Sequence, residues 1–417
     1  MDGSERYRFL ILEDWYLDFL LTMHINIFSF ESFPKGMAAT KHISNIAYGL
    51  SKAGASVNLL IYHRAVDCQN DDGLPAEGEY NGIKYKYIIG KYKPENKIYR
   101  AINTLYLEKI KWFVWLLKNI CKDDILYCYN VNFWNSAFII LASKIKGFKV
   151  IREITEYPFY NNTSWDKVRR SIANKFLLNH FDAFVCISHP LCDYVENIIK
   201  EKNRILLLPI LVNEEEIFEW QSPYNFPYII HTGTMYERKD GISYILKAFS
   251  EFKKKDKSCC KLVFAGPQSN ERCEYLPLIK SLGLDNDVVL AGMITDNDLL
   301  ARLQHFAAAS IVYRFENIQT HFGFSTKMGE ILIAGIPLIT TNIGEQKFYL
   351  KDRLNSLLVE PGNIEQLESA IEFVLNNPKE SRIIGENAHK LAVEEFNYLI
   401  HGKRLLSFIE TQIPDKQ

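Results

Sequence analysis

The sequence predicts an α/β protein built from two doubly wound domains. Short apolar runs alternate along most of the chain with longer segments of helical periodicity, a pattern typical of parallel sheets covered by helices on both faces. The alternation stops at 213–227, a stretch that is first acidic and then aromatic and proline-bearing, and it begins again at Tyr228. With 417 residues, the chain is long enough for two or three domains with large cores.

The first half opens like a doubly wound sheet. His24–Phe30 is predicted as a strand, a loop of small residues leads into a helix that ends near Lys52, and Ser56–Tyr62 is the next strand. Gly36 in this loop would let a ligand approach the backbone closely, although a plain tight turn explains the glycine equally well. Met1–Thr22 has only a short, acid-interrupted apolar run, so we expect a weakly ordered or peripheral extension.

Two glutamates follow one of the further strands of this half. The strands are predicted at Ile83–Ile89, Asp124–Tyr129, Lys149–Glu153, Asp182–Ile187 and Arg204–Leu208, and the polar stretch Cys68–Glu79 is predicted to be a loop. Glu153 and Glu156 lie at the carboxyl end of a strand, where α/β sheets place their ligands. A structural ion pair between Glu153 and Arg152 is an equally good explanation.

Basic and aromatic residues are interleaved in the segment 97–122, KIYRAINTLYLEKIKWFVWLLKNICK. One hypothesis is an interfacial helix that meets anionic lipid. The alternative is a long packed helix with solvated lysines. The stretch Trp112–Leu117 favours this alternative because it is apolar all round, as buried helices are.

The second half begins with a loop that carries two cations. Tyr228–Thr232 is predicted as a strand, and a loop from Gly233 leads into a helix at Ile242–Lys254. Arg238 and Lys239 precede that helix and could bind phosphate oxygens, the arginine as a fork and the lysine as a point charge. Solvated loop charges are the alternative. Further strands are predicted at Lys261–Gly266, Asp287–Ala291, Ala309–Tyr313, Ile336–Thr341 and Ser356–Val359, followed by helices to the end of the chain.

The stretch 322–342, FGFSTKMGEILIAGIPLITTN, predicts a loop, a helix, a turn and a buried strand. A hydroxyl of Ser325 or Thr326 is expected to cap the helix start. Lys327 and Glu330 lie three residues apart and share one helix face near this start. A helix N-terminus with hydroxyls and a lysine is a ready anion site, and a carboxylate one turn further can bind a sugar diol. A mere surface contact between Lys327 and Glu330 is the competing interpretation.

The same stretch resembles the retaining GT-B glycosyltransferases of family four. Glu330, Gly335 and Pro337 reproduce their E-x4-G-x-P signature, and residues 325–327 resemble the S/P-T-K variant of bacterial polysaccharide enzymes. Lys239 follows Gly233 by six residues, as the phosphate-binding lysine of that family follows its glycine.

The sequence departs from the family pattern at two positions. The family usually has a second glutamate where this chain has Phe322, and an arginine where this chain has Thr234.

The resemblance implies a GT-B architecture, with two Rossmann-like domains facing a cleft. The expected divisions are an extension at 1–22, an acceptor-side domain at 23–212, a linker at 213–227, a nucleotide-sugar domain at 228–395, and a final segment at 396–417 whose helix crosses back to the first domain.

The resemblance also implies an activity and a set of site residues. The activity is retaining transfer of a hexose from a nucleotide-diphosphate donor, such as a UDP- or GDP-sugar, to a hydroxyl of a glycan or lipid-linked acceptor in capsule or lipopolysaccharide synthesis. The catalytic set is Lys239, Glu330, Arg238, Glu153 and Glu156. The donor-binding set is Gly36, Gly233, Thr234, Met293, Ile294, Phe324, Ser325, Thr326 and Lys327. No metal or other cofactor is expected.

In this family Glu330 would bind the ribose hydroxyls, while Lys239, Arg238 and the helix start would hold the diphosphate. Backbone groups at Met293 and Ile294 would wrap the base. Glu153 and Glu156 would contact the acceptor hydroxyl or the transferring sugar.

Composition limits the classes of partner and the cellular compartment that we expect. A net charge of −1 argues against an obligate nucleic-acid binder. Eight cysteines without a C-x-x-C pair suit free thiols in the cytoplasm, with attachment to the inner face of the plasma membrane as an option through 97–122.

Two other functions stay open on the sequence. A nucleotide-sugar 2-epimerase has the same fold but needs acid and base carboxylates around the sugar, and Phe322 removes one. A non-catalytic glycan- or lipid-binding protein is favoured by the two departures and disfavoured by the retained Lys239, Lys327 and Glu330. Nucleotide binding would separate the binding protein from both enzymes.

Overall fold

The computed structural model describes residues 23–36, 38–62, 74–90, 107–158, 163–214, 221–233, 235–255, 258–266, 272–294 and 296–413. The expected N-terminal extension and Thr234 lie outside these residues. Most of the segment 97–122 is described, from Leu107 onward.

The first sheet has eight described strands in the order β3-β4-β2-β1-β5-β6-β7-β8, and every neighbouring pair is parallel except β3 with β4. Its strands are β1 His24–Ser29, β2 Ser56–Ile61, β3 Glu77–Tyr80, β4 Ile83–Tyr87, β5 Ile125–Tyr129, β6 Lys149–Ile154, β7 Ala183–Cys186 and β8 Ile205–Leu207. The α-helices of this half are α1 Ala38–Lys52, α2 Glu108–Asn119, α3 Phe133–Lys146, α4 Ser164–Ile172 and α5 His189–Glu196, and a π-helical turn, Ala173–Leu177, continues α4. Parallel strands joined through helices make this a doubly wound domain.

The second sheet has six described strands, all parallel, in the order β11-β10-β9-β12-β13-β14. Its strands are β9 Tyr228–Thr232, β10 Lys261–Ala265, β11 Val288–Gly292, β12 Ala309–Val312, β13 Leu338–Thr341 and β14 Leu357–Val359. The helices are α6 Glu237–Asp240, α7 Ile242–Lys255, α8 Arg272–Ser281, α9 Asn297–His305, α10 Ile318–Phe322, α11 Thr326–Ile333, α12 Ile364–Asn376, α13 Pro378–Glu395 and α14 Tyr398–Gln412. The predicted fold class, two Rossmann-like domains facing a cleft, is confirmed.

The last helix returns to the first domain. α14 packs against α1, and the two helices touch at glycines: a Cβ atom on Gly402 would overlap the backbone of Gly49. Close backbone approach of this kind requires that both positions lack a side chain. Leu405 and Ile409 of α14 are buried in the same core as β1 and β2.

One predicted loop is wrong in part. The end of the predicted loop at Cys68–Glu79 belongs to β3, an edge strand whose four residues are all exposed.

α2 packs on the core along one side. Trp112 and Leu116 face the core, and the ring of Trp112 stacks on Phe28 at 4.2 Å. Val114 is 40% exposed, so the stretch Trp112–Leu117 is buried on one side and not all round.

Candidate active site in the cleft between the domains

The start of α11 is held by an arginine rather than by its own hydroxyl. Ser325 is the N-cap residue, but its side chain makes no capping hydrogen bond to the first turn, contrary to the sequence expectation. Instead, Arg314 donates from Nη2 to Ser325 Oγ at 3.0 Å. The first turn of α11 is therefore left without a side-chain cap, which keeps its positive end open to an anion.

Lys327 is the first cation of this site. Its ammonium lies directly over Gly233, where a Cβ atom would overlap it. Burial, with smaller contributions from the positive charges of Arg314 and Lys239, lowers the pKa of Lys327 from 10.5 to about 8 against the opposing effect of Asp240. An anion bound beside Lys327 would therefore stabilise its charged form and raise its pKa.

Arg314 is a second cation that the sequence analysis did not select. It follows β12 by two residues, at the carboxyl edge of the second sheet, which is the same signal that selected Glu153. Burial lowers the pKa of its guanidinium, and the carboxylate of Asp240 partly offsets this effect. Its Nε is buried and has no hydrogen-bond acceptor among the described residues, which leaves one donor of the fork unused.

His231 is a buried residue close to Lys327 and Arg314. Its Nδ1 pairs with the carbonyl of Ile311 at 2.9 Å, and its buried Nε2 has no partner in the described part of the chain. Burial lowers the pKa of His231 to about 4, so the ring is neutral at pH 7.

Arg238 and Lys239, the two predicted phosphate ligands after β9, differ in exposure. Lys239 is half-buried and close enough to lower the pKa of Lys327, whereas the Arg238 side chain is exposed. Both lie in the four-residue helix α6, which follows Gly233. Arg314, rather than Arg238, therefore lies beside Lys327 as a buried cation.

Glu330 lines a cavity of about 400 Å³ between the domains. Lys41 of α1 reaches across to it, with Nζ 3.7 Å from Glu330 Oε1. Thr326, Gln304 and His42 line the same cavity. A volume of this order is within the usual range of small-ligand pockets.

Glu153 and Glu156 separate in the structure. Glu153 is 1% exposed and contacts His42 Nε2 at 2.6 Å, so the expected direct contact of its carboxylate with an acceptor is corrected. The guanidinium of Arg152 donates to Ser136 Oγ and to the carbonyl of Val131 instead of pairing with Glu153. His42 lies between Glu153 and the cavity that it lines. Glu156 is exposed, and together with burial its charge raises the pKa of the neighbouring Glu31.

Phe322, one of the two departures from the family pattern that the sequence resembles, packs against the first domain. Its ring stacks on Tyr157 at 4.6 Å and meets Tyr194 edge-on. Ser188 Oγ donates to the carbonyl of Phe322. This end of the cleft therefore has an aromatic wall in place of a carboxylate.

A buried glutamate joins the domains beside this wall. The backbone N–H of His189 donates to Glu345 Oε2 at 2.9 Å, and the His189 ring contacts Oε1 at 2.8 Å. Burial raises the pKa of Glu345, and these hydrogen bonds partly offset the rise. The contact fixes α5 against the second domain.

The remaining predicted donor residues lie at different depths. The Phe324 side chain is buried against Tyr349 and Phe396, so it belongs to the core and only its backbone can face a ligand. Met293 is 54% exposed just after β11. Ile294 follows it and is half-buried, while Gly36 is exposed before α1.

Within the described residues, no group of three histidine, cysteine, aspartate or glutamate side chains could hold a metal ion. In each of the two Asp-x-Asp tripeptides, 285–287 and 296–298, one carboxylate has a structural partner. Asp287 pairs with Lys253 at 2.8 Å, and Asp296 caps α9.

The arrangement suits a ligand with two different ends. Three cations meet at an uncapped helix start, with Asp240 as a buried counter-charge, and a carboxylate lies one turn along the same helix. Cations and free N–H groups bind phosphate oxygens, and a carboxylate accepts hydrogen bonds from a diol.

Comparison with known proteins agrees with this geometry. Residues 212–391, which hold the cation cluster and Glu330, match the family model for "Glycosyl transferases group 1". An uncharacterized glycosyltransferase of Methanocaldococcus jannaschii is 26% identical over 366 residues, which cover 80% of this chain and 90% of the relative. A mannosyltransferase of Mycolicibacterium hassiacum is 28% identical over 122 residues, and this match spans only 28% of that protein's length.

Solved structures share the whole fold. Sucrose-phosphate synthase from Thermosynechococcus elongatus superposes with a TM-score of 0.71 at 16% identity, covering 93% of this chain and 98% of the other. HepE from Anabaena, solved in complex with UDP and glucose, gives a TM-score of 0.69 at 13% identity, covering 93% and 100%. The fold is GT-B, and together with the family match it supports a glycosyltransferase.

Proposed function

We propose that this protein is a retaining glycosyltransferase that moves a hexose from a nucleotide-diphosphate donor to a hydroxyl of a glycan or lipid-linked acceptor. The observation that carries the proposal is the meeting of Arg314, Lys327 and Lys239 at the start of α11, one turn before Glu330.

Departure of the diphosphate is the step that this cluster would assist. Negative charge grows on the leaving phosphate as the sugar gains oxocarbenium character, and preorganised cations stabilise that charge most in a site that excludes water. Arg314 would give its unused Nε donor, and Lys327 would hold its proton more firmly beside the anion. Metal-independent transfer is proposed because side chains supply this charge.

The nucleoside would lie along α11 from the phosphates toward Glu330. The Glu330 carboxylate would accept hydrogen bonds from the ribose diol, displacing its contact with Lys41. Backbone groups at Met293 and Ile294 would meet the base. The UDP complex of HepE makes a uridine diphosphate donor the first to test.

The acceptor hydroxyl would be deprotonated without a protein side chain as the base. Glu153 is buried behind His42, and an aromatic ring occupies position 322. A departing phosphate oxygen would therefore take the proton of the acceptor hydroxyl on the face that the leaving group vacates, which retains the anomeric configuration. Glu156 and Glu31, which lie close together, would border the part of the cleft where the acceptor binds.

The biological setting proposed is assembly of a capsule or lipopolysaccharide at the cytoplasmic face of the plasma membrane. A lipid-linked acceptor would bring the protein to that surface.

Calorimetric titration with UDP, GDP and ADP, followed by the matching nucleotide sugars, tests the proposal. One nucleotide should bind, and NMR of the first product formed with a glycan acceptor should show the donor's anomeric configuration. Inversion would refute the retaining mechanism. Epimerised sugar formed without an acceptor would identify the epimerase, and absence of binding by every nucleotide and nucleotide sugar would favour the non-catalytic binding protein.

A further inference from the structure

Three helical segments of the first domain carry rows of exposed apolar side chains. The rows repeat at helical spacing, and each of their members is between 40% and 61% exposed: Leu107, Ile110 and Val114; Trp134, Leu141 and Ile145; Trp165, Val168, Ile172 and Phe176. Single exposed apolar residues are normal on soluble proteins, but aligned rows on neighbouring helices are not.

The three rows belong to one surface. α2 packs against α3, and α3 packs against the π-helical turn that continues α4. The rings of Phe113 and Phe138 meet at 5.8 Å between the first two helices, and Lys109 Nζ lies 5.8 Å from the Trp134 ring. We call the outer side of α2, α3 and 164–177 the three-helix face.

The three-helix face is strongly basic. Its segments 108–119, 133–146 and 164–177 contain nine lysines and arginines but two acidic residues, Glu108 and Asp166, in a chain whose net charge is −1. Glu108 is buried and does not reach the surface. Cations lie beside its aromatic rings, with Arg169 6.0 Å from Trp165 and Lys175 5.3 Å from Phe176.

This combination matches the boundary of an anionic bilayer. Tryptophan and aliphatic side chains partition into the region between headgroups and acyl chains, and lysine and arginine attract anionic headgroups. Within the described residues, no helix is long and apolar enough to cross a membrane. Contact would therefore be lateral, with the helices lying in the interface.

The three-helix face also adjoins the cleft. α3 and α4 follow β5 and β6, so their first turns lie at the carboxyl edge of the sheet, where the cleft opens. Arg170 of α4 donates to the hydroxyl of Tyr157 at 3.0 Å, and Tyr157 stacks on Phe322 inside the cleft. A lipid-anchored molecule would meet the mouth of the site there.

We propose that the three-helix face docks the protein onto a bilayer rich in anionic lipids. Its apolar rows enter the headgroup–acyl boundary, and its lysines and arginines contact headgroup phosphates. The proposal stands on exposure, charge and helix packing, so it holds whether or not the cleft transfers a sugar.

Vesicle flotation of the full-length protein tests the docking. Vesicles of phosphatidylcholine with about one-third phosphatidylglycerol should carry the protein, and vesicles of phosphatidylcholine alone should not. Raised salt should release it, since charge attraction to the surface is screened. Tryptophan emission should shift to shorter wavelength on binding, because Trp134 and Trp165 leave water.

Paired variants assign the binding to the three-helix face. Trp134→Gln with Trp165→Gln should weaken partitioning at least about tenfold. The control Ile383→Gln with Ile400→Gln removes side chains that are 56% and 52% exposed on α13 and α14, and it should leave binding unchanged.

The charge is tested in the same way. Lys109→Glu with Lys111→Glu should also weaken binding about tenfold or more. Lys379→Glu with Lys403→Glu, a change of equal charge on α13 and α14, should weaken it less than twofold.

Three results would overturn the proposal. The first is absence of binding to anionic vesicles, and the second is equal binding to neutral ones. The third is concentration-dependent dimerisation that the tryptophan pair abolishes, because a second copy of the chain would then cover the three-helix face. Circular dichroism and unchanged melting temperature of each variant separate loss of binding from loss of fold.

Discussion

Replacing Arg314 by methionine distinguishes a phosphate ligand from a structural strut. The guanidinium donates to Ser325 and is favoured by the charge of Asp240, but burial opposes its charge and Lys327 repels it. Replacing a whole buried ion pair by apolar side chains is often neutral for stability, but removing one partner commonly costs about 3–5 kcal/mol because the other charge stays buried. Asp240 is buried and keeps Lys327 as a second counter-charge, so we expect Arg314→Met to lower the free energy of unfolding by about 1–3 kcal/mol.

Nucleotide affinity should respond much more strongly. A hydrogen bond to a charged group contributes about 1.5–3 kcal/mol, so loss of the Arg314 fork should weaken the nucleoside diphosphate about 10- to 150-fold. Inorganic pyrophosphate should lose affinity in parallel. Removal of a neighbouring positive charge should also raise the pKa of Lys327.

Isothermal titration at fixed salt, paired with thermal unfolding, measures both effects. Arg238→Gln is the matched control: the exposed Arg238 side chain should affect affinity by less than about fivefold, since exposed ion pairs contribute about 1 kcal/mol at most. If Arg238→Gln weakens the nucleotide more than Arg314→Met does, the assignment from burial is refuted. If Arg314→Met lowers the melting temperature but leaves nucleotide affinity unchanged, Arg314 has a structural role and does not bind the phosphate.

Three further predictions concern other parts of the molecule. The pKa of Lys327 is about 8 in the folded protein and 10.5 normally, so between these pH values the unfolded chain binds more protons and the contribution of this lysine to stability should rise with pH. Nucleotide affinity measured by calorimetry should fall about tenfold from pH 7 to 9, because the ammonium that binds the phosphate loses its proton. Lys327→Arg should remove that fall. Glu330→Gln should weaken the nucleotide by about 1–3 kcal/mol in calorimetry but leave pyrophosphate unchanged, and equal loss for both ligands would contradict a ribose contact. Gly402→Val should lower the free energy of unfolding in urea by about 1–3 kcal/mol because its side chain would meet the Gly49 backbone, whereas the exposed Ser407→Val on the same helix should not.

The predictable part of the fold is the part with a burial signal. Covered parallel strands such as β9 are apolar throughout, and the sequence analysis gave its bounds as the structure has them. β3 has the sequence EGEY with all four residues exposed, so no apolar pattern marks it. Its pairing with β4 follows the two-residue turn Asn81-Gly82, in which both residues have positive φ, so the local signal for this strand lies in the turn and not in an apolar pattern.

The candidate site was predictable where one short segment builds it. α11, with Lys327 and Glu330 on it, follows from its own residues. Arg314 reaches the same place from another strand, and only the fold brings its guanidinium to Ser325. Glu153 and Glu156 share one local rule, the end of β6, yet packing of His42 over Glu153 buries one and leaves the other exposed.

α2 explains why the sequence favoured two incompatible environments for one helix. Burial against a core and contact with lipid both select apolar residues, so periodicity alone cannot separate them. In the structure, Trp112 and Leu116 occupy the core side, and Ile110 and Val114 occupy the opposite side among lysines. A helix between a protein core and a bilayer would have to be apolar on both sides, so the observed core packing and the proposed bilayer contact use opposite faces of α2 and do not exclude each other.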